Sequence, residues 1–337
     1  MHFPSRNLKN ALYDLASMQL IIPVAGLGSR LRPHTLTTAK PLMHVAGKTV
    51  LEHIFDRFKE LPITELILIT GHLKHQFEGY KAPWPVKTVE QSVMRGTADA
   101  INLTKDIVNG PVIIAFSDTI FDADMSVIAK KDPDGILWAK EVEDYQRFGV
   151  IVHKDGIMTK IVEKPSEPIS KLANIGLYYI KDHKALFDAL DHVLKSPPGK
   201  GSKYFLTDAL QYLVDHGKKL CVEPVTGWYD TGTLDATLDA NAELLKRNQR
   251  VQDFAGSVII EPVWIEDDVA IESSVVGPNV SIGKNAKIVN SFVSDSIINA
   301  NATITNAHLE RSIVGEHATI TREKKRVSVG AHSHGPA

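Results

Sequence analysis

The chain has 337 residues, with 38 Lys+Arg against 40 Asp+Glu and a formal net charge of −2. That length accommodates two domains and a large core, and the charge balance argues against a nucleic-acid binder, which usually shows a basic excess. One cysteine, Cys221, excludes an internal disulfide framework. No apolar run reaches transmembrane length and the amino-terminal residues do not read as a signal peptide, so a cytoplasmic protein without a membrane partner is expected.

Residues 1–17 precede the first strand-like segment. Leu8, Ala11, Leu12 and Leu15 fall at helical spacing there, and the stretch reads as a peripheral extension or an upstream start ahead of Met18. An apolar run over 20–25 predicts a buried strand. It delivers the chain into Ala25-Gly26-Leu27-Gly28-Ser29, followed at once by Arg30 and Arg32. Backbone N–H groups in so open a turn can face an anion closely, and the arginine fork suits phosphate. The stretch therefore predicts a polyphosphate site on the edge where open α/β sheets bind ligands; a generic strand-end turn is the plainer alternative. Two other phosphate motifs fail. A dinucleotide fingerprint needs glycine where Leu31 stands, and a P-loop ending at Gly47-Lys48-Thr49 needs one where Leu42 stands. Lys48 then reads as an exposed residue opening a helix.

From 19 to about 245 strand-like and helix-like segments alternate. Short apolar runs at 66–70 and 112–116 predict buried parallel strands. Val50, Leu51, Ile54, Phe55 and Phe58 share one helical face, and 97–108 reads as a second helix. Strands follow near 149–152, 157–162 and 175–180, with helices over 182–194 and 206–216 and a Pro/Gly loop over 195–201. The alternation predicts an α/β domain, a Rossmann-like and mostly parallel sheet with crossover helices.

After about 255 the pattern changes. Ile260, Ile265, Ile271, Val276, Ile282, Ile288, Val293, Ile298, Ile304, Leu309, Val314 and Ile320 recur at steps of five or six residues. Small or apolar residues sit four places after most of them, Val269, Val275, Val280, Ala286, Phe292 and Ile297 among them; His308 is the polar exception. This hexapeptide repeat predicts a left-handed parallel β-helix of about three to four coils. The expected division is an extension over 1–17, an α/β domain over 18–250 and the β-helix over 251–337.

Polar residues cluster at the strand ends. Asp118 follows the 112–116 run, Glu163-Lys164-Pro165 ends another strand, and Trp228-Tyr229-Asp230-Thr231-Gly232-Thr233 supplies a second aspartate. Singly each has a plain reading: a cap or turn aspartate, a surface charge pair, a capped turn. Their order and spacing decide.

As an ordered set they resemble the sugar-1-phosphate nucleotidylyltransferases, or NDP-sugar pyrophosphorylases, over about 18–245. The family pattern Gly-x-Gly-Thr-Arg-Leu-x-Pro…Lys-Pro matches Gly26-Leu27-Gly28-Ser29-Arg30-Leu31-Arg32-Pro33…Lys40-Pro41. The family's base-reading Gln with its downstream Gly matches Gln91 and Gly96, ahead of Thr97. Its metal-binding Gly-Asp matches Ser117-Asp118. Its sugar segment matches Gly149-Val150, Glu163-Lys164-Pro165 and Asn174-Ile175-Gly176-Leu177-Tyr178, and its last metal motif matches the stretch through Asp230. Ala25, Ser117 and Met94-Arg95 depart from the commonest family residues, and the last pair leaves the base open.

The resemblance implies transfer of a nucleotidyl group from an NTP to a sugar 1-phosphate, with pyrophosphate leaving in line. Arg30 and the backbone of 25–29 would hold the triphosphate, with Lys40 near the reacting phosphate. Gln91, with Gly96 and Thr97, would read the base. Lys164 would hold the sugar phosphate, and Glu163 and Asn174 would bond sugar hydroxyls beside Gly149 and Tyr178. Asp118 and Asp230 would hold Mg²⁺. The ending through Ser312-Ile313-Val314-Gly315 looks most like long glucose-1-phosphate thymidylyltransferases, which points to dTTP or UTP with glucose 1-phosphate. Mannose-1-phosphate guanylyltransferase and glucose-1-phosphate adenylyltransferase types are the alternatives. A silent NDP-sugar-binding regulatory subunit and a bifunctional enzyme that also acylates stand as rivals of other classes; the surviving Lys40, Asp118, Lys164 and Asp230 argue against the first. Every matched residue lies before 235, so the β-helix is expected to serve assembly or regulation in a homo-oligomer.

Overall fold

The computed structural model describes residues 15–199 and 201–322. The amino-terminal helix expected around Leu8 and the basic end beyond 322 lie outside the described residues. Contacts divide the chain into two compact units. One takes the chain up to Met43 and Thr49–Thr233; the other takes His44–Lys48 and everything from Leu234 on.

The first unit is built on a nine-stranded sheet. In chain order the elements are β1 (Met18–Pro23), the short β2 (His44–Val45) and β3 (Lys48–Thr49), of which His44–Lys48 fall to the second unit, then α1 (Val50–Phe58), β4 (Ile63–Thr70), β5 (Val86–Glu90), α2 (Thr97–Asn102), β6 (Val112–Ala115), β7 (Thr119–Asp122) and α3 (Val127–Lys131). They continue with β8 (Gly135–Glu141), β9 (Gly149–Lys154), β10 (Ile157–Glu163), β11 (Leu172–Ile180), α4 (His183–Lys195), α5 (Leu206–Asp215), β12 (Leu220–Pro224) and β13 (Gly227–Asp230). The strand order is β5-β4-β1-β6-β11-β8-β12-β10-β9. Seven of the nine strands run one way; β10 and β11 run against them.

Hydrophobic patterning explains the middle of this sheet. β1 pairs in parallel with β4 on one side and β6 on the other. Covered on both faces, such strands read as continuous apolar runs, and Leu20, Ile21, Ile22, Leu66, Ile67, Leu68, Ile113 and Ile114 are fully buried. Ile21, Ile67 and Ile114 pack with the apolar stripes of α2, α4 and α5 in one core. Helix α1 starts with a reciprocal cap: Glu52 N–H donates to Thr49 Oγ1 at 3.1 Å and Thr49 N–H to Glu52 Oε2 at 2.8 Å. All five apolar residues read as its inner face are buried. Lys48, read as an exposed helix opener, is instead half-buried in β3, one place before the cap.

Helix α2 is shorter than the predicted 97–108. Thr104, fully buried, turns its hydroxyl back to the Ile101 carbonyl at 2.7 Å, and its own N–H takes the same oxygen at 3.0 Å. That competes with the helical ladder, and the chain leaves the helix after Asn102.

In the second unit, three four-stranded parallel sheets form a coil consistent with a left-handed β-helix. Successive coils stack in register: Val258 on Val275, Val275 on Phe292, Phe292 on His308. Ile265, Ile271, Val276, Ile282, Ile288, Val293, Ile298, Ile304 and Val314 point inward, as predicted. Ile260 does not: it is exposed, and Ile259, which aligns with Val276, fills its place. Phe292 also faces out, 56% exposed. The corners take left-handed backbone at Asp268, Asn285, Asn301 and His317, at Ser273, Asn290 and Asn306, and at Asn279, Asp295 and Arg311. Asn and Asp tolerate that conformation better than other side chains. His317 is thus a corner residue and His308 an exposed strand residue.

Helix α6 (Leu234–Leu245) belongs to this second unit. Its Asn241 is fully buried and fully occupied. Oδ1 accepts from Ala46 N–H at 2.9 Å and Ser281 Oγ at 2.6 Å, while Nδ2 donates to the Asn279 carbonyl at 3.0 Å. Replacing Asn241 by Leu fills the space but strands those partners, a loss of about 1–3 kcal/mol per buried group. Denaturant melts of the Asn241→Leu variant should show the β-helix unit destabilised by at least that much. A wild-type midpoint would mean that packing alone holds this junction.

Candidate active site

A cleft of about 840 Å³ opens in the first unit. Its walls come from the segments after β1, β5 and β6, the start of β9, the end of β10, the first half of β11, and the residues around Asp230. These segments are distant in sequence; the parallel β1, β5 and β6 deliver their carboxyl ends to one edge, and β11, running against β6, starts from that same edge.

At the floor, Gly28 takes φ +59°, and a Cβ there would stand 2.8 Å from Thr35 Cγ2. Thr35 Oγ1 donates to the Gly28 carbonyl at 2.8 Å, which closes the turn before Arg30. Gly26 has open space where a side chain would be. Leu27 is exposed and does not line the cleft, although its neighbours do. Ser117 donates to the Pro23 carbonyl at 2.7 Å and so ties the end of β6 to the end of β1. The hydroxyl that replaces the family glycine is thus itself a structural bond.

Asp118 and Asp230 are brought together by a ribbon. β7 and β13 pair antiparallel, with Asp230 opposite Thr119, and Thr231 donates to the Asp118 carbonyl through N–H at 3.0 Å and through Oγ1 at 3.1 Å. Lys40 Nζ lies 3.4 Å from Asp118 Oδ2 and Arg147 Nη2 lies 3.6 Å from Asp230 Oδ2. Arg30 is close by: a Cβ on Gly232 would stand 2.8 Å from Asp230 Oδ1 and 3.0 Å from Arg30 Nη2. Burial pushes the Asp118 carboxyl up, but the charge and hydrogen bond of Lys40, aided by Arg30, hold it below its ordinary value.

On a second wall Gln91, nearly buried, follows β5. Its Nε2 donates to the Gly96 carbonyl at 3.1 Å and to Asp99 Oδ2 at 2.9 Å. Gly96 stands at φ +128°, where a Cβ would come within 2.2 Å of the Tyr204 carbonyl; only glycine fits there. Thr97 Oγ1 accepts from Leu206 N–H at 2.9 Å, fixing the start of α2.

The third wall holds Gly149, Glu163, Lys164, Asn174 and Tyr178. Glu163 lies 3.6 Å from Lys164 Nζ and accepts from Thr207 Oγ1 at 3.4 Å. A Cβ on Gly149 would approach Glu163 Oε2 to 3.0 Å. Asn174 Nδ2 donates to the hydroxyl of buried Tyr178, and Asn174 Oδ1 accepts from Gly176 N–H at 3.1 Å. Burial pushes the Tyr178 phenol up and, against the opposing Lys164 and Thr207, raises the Glu163 carboxyl as well.

Of the residues singled out from sequence as site residues, all except Leu27 and Arg32 line this one cleft, so of the two arginines read as a phosphate fork Arg30 alone reaches it. Arg147, Lys203, Phe205 and Thr207 line it too and were not foreseen. Arg147 sits in a short turn before Gly149, and Lys203 in the loop after α4, where no periodicity marks them. The cleft thus gathers cations from five segments around two neighbouring aspartates.

Over residues 19–247 the sequence matches the nucleotidyl transferase family, and the chain belongs to that family. It is 32% identical over 261 residues, 77% of this chain and 61% of the relative, to the bifunctional protein GlmU of Methanocaldococcus jannaschii. It is 29% identical over 223 residues, 63% of this chain and 89% of the relative, to the UTP–glucose-1-phosphate uridylyltransferase AglF of Haloferax volcanii. The fold is that of a UDP-glucose pyrophosphorylase solved with UDP-glucose, at TM-score 0.61 and 23% identity over 69% of this chain and 100% of that one. The chain spans about three fifths of the length of the GlmU relatives it matches.

Glu163 yields a stability test. Its folded pKa lies above the free-Glu value, so the folded state disfavours the charged form. Stability therefore falls as pH rises through the window between the two values. Glu163→Gln should be more stable than wild type at neutral pH, with the gap closing toward the free-Glu range, in urea titrations at several pH values. A pH-independent gap would contradict the raised carboxyl.

Proposed function

We propose that the protein transfers a nucleotidyl group from an NTP to a sugar 1-phosphate, releasing pyrophosphate. One observation carries the reading: Arg30, Lys40, Arg147 and Lys164 converge on a single cleft with Asp118 and Asp230. The reaction must bring two polyanions together in line. A nucleophile that is already a phosphate oxygen needs no protein base, so the protein supplies position and charge. The open backbone at Gly26 and Gly28, with Ser29 and Arg30, would cradle the triphosphate. Lys40 would neutralise charge at the α-phosphate, and Gln91 would meet the base. Lys164 would hold the sugar phosphate while Glu163 and Asn174 bond sugar hydroxyls.

The residues fit Mg²⁺. Among the described residues no group of three or more His, Cys, Asp or Glu forms a closed cage. Two aspartates on a rigid ribbon match an ion that takes one or two carboxylates and completes its shell with phosphate oxygens and water. Bound there, it would supply Lewis-acid stabilisation of charge on the reacting phosphate.

UTP or dTTP with glucose 1-phosphate is the preferred pair, supported by the AglF relative and by the β-helix ending. Homo-oligomeric assembly through the β-helix is part of the same reading; exposed Val258, Ile260 and Phe292 support it.

A pyrophosphate-release screen of five NTPs against several sugar 1-phosphates should find one dominant pair. Silence with every pair would overturn the activity. Asp118→Asn or Asp230→Asn should each cost on the order of a thousandfold in kcat, and the double variant far less than the product of the two losses. EDTA should abolish turnover and Mg²⁺ restore it; full activity in EDTA would remove the metal from the reading. Lys164→Ala should raise KM for the sugar phosphate about tenfold or more and leave KM for the NTP near wild type. Equal weakening of both would place this lysine on the triphosphate.

A further inference from the structure

The carboxamide of Gln91 has two ends of nearly equal size and opposite hydrogen-bonding sense. Sterics cannot choose between them; partners can. Here one end faces the Gly96 carbonyl at 3.1 Å and Asp99 Oδ2 at 2.9 Å. Both partners accept, so that end is the NH2 group. Among the described residues no protein group meets the other end, Oε1, and Gln91 lines the cleft. What the cleft presents at this point is an acceptor.

Asp99 is only 3% exposed, in the first turn of α2. Its second oxygen, Oδ1, takes Nη2 of Arg95 at 2.5 Å, and the Arg95 side chain reaches solvent. Burying a carboxylate is costly unless both oxygens are occupied, and here each has a donor. A first-turn acid would ordinarily favour the helix dipole; this one is spent on a neighbouring side chain instead.

We propose that Asp99, held by Arg95, is a positioning residue: it fixes the sense of the Gln91 amide, and so makes the base subsite select a ring N–H donor. The proposal rests on Gln91 being the base-reading group. Uracil and thymine carry N–H at N3; cytosine carries a lone pair there, which an oxygen at Oε1 would repel. Asp99 never touches the base. It acts, with the Gly96 carbonyl beside it, by denying Gln91 its other orientation.

The test uses Asp99→Asn in the full chain. Asparagine keeps the shape. With its oxygen on Arg95 it turns an NH2 group toward Gln91, which then gains a reason to flip. The ratio of kcat/KM for UTP over CTP should fall about tenfold or more, with KM for the sugar 1-phosphate within twofold of wild type. Asp99→Glu, which keeps a carboxylate, should retain more of the ratio than Asp99→Asn. A purely structural role would depress both nucleotides together and leave the ratio unchanged; that result would overturn the proposal. Gln91→Ala separates the two readings. If Gln91→Ala collapses the ratio and Asp99→Asn does not, Gln91 reads the base without help from Asp99. If Gln91→Ala leaves the ratio intact, the base assignment itself fails.

Discussion

The antiparallel pairing of β7 with β13 is the contact on which the cleft depends. Two carboxylates more than a hundred residues apart must line one cleft. The ribbon supplies the geometry through Asp230 opposite Thr119 and the two hydrogen bonds that Thr231 donates to the Asp118 carbonyl. It is pinned at its other end, where Asp122 pairs with Arg57 at 3.0 Å and accepts from Tyr229 at 3.1 Å. A slip of one residue would turn Asp230 to the opposite face. Lys40 and Arg147 then offset the charge that the ribbon concentrates.

Much of this was legible in the sequence, for identifiable reasons. Strands buried on both faces write themselves as apolar runs, so β1, β4 and β6 could be placed. The residues that line the cleft announce themselves through order: glycine turn, Lys40, Gln91, Asp118, Glu163-Lys164, Asp230. Arg147 and Lys203 left no trace because a lone cation in a loop looks like any solvated charge. The end of α2 depends on where the Thr104 hydroxyl points, which no periodicity records. Strands of two residues give too short a pattern to fix phase, which is why the periodicity points to Ile260 where the first coil turns Ile259 inward. The placement of α6 with the β-helix hangs on Asn241, a polar residue whose partners come from two separate segments, Ala46 and Asn279–Ser281.

Two acids at the cleft are placed at a local cost to the fold. Glu163 is held where its charge is disfavoured, and a buried acid spends its oxygens on Arg95 and Gln91 rather than on its own helix. Such costs are borne by the large apolar cores beneath. Ser117 shows the reverse: a departure from the commonest family residue that is tolerated because its hydroxyl joins two strand ends.

The left-handed corners of the β-helix carry a consequence for how such a domain can change length. Each corner repeats above the one before it, Asp268 below Asn285 below Asn301 below His317, and each coil offers the next the same ladder of backbone groups. Growth or shrinkage is therefore quantised. A whole turn can be added or removed while every remaining side chain keeps its place. A single inserted residue in a strand would put the inward row outside for the remainder of that turn, so the coil accommodates a change of length only as full periods or at the corners.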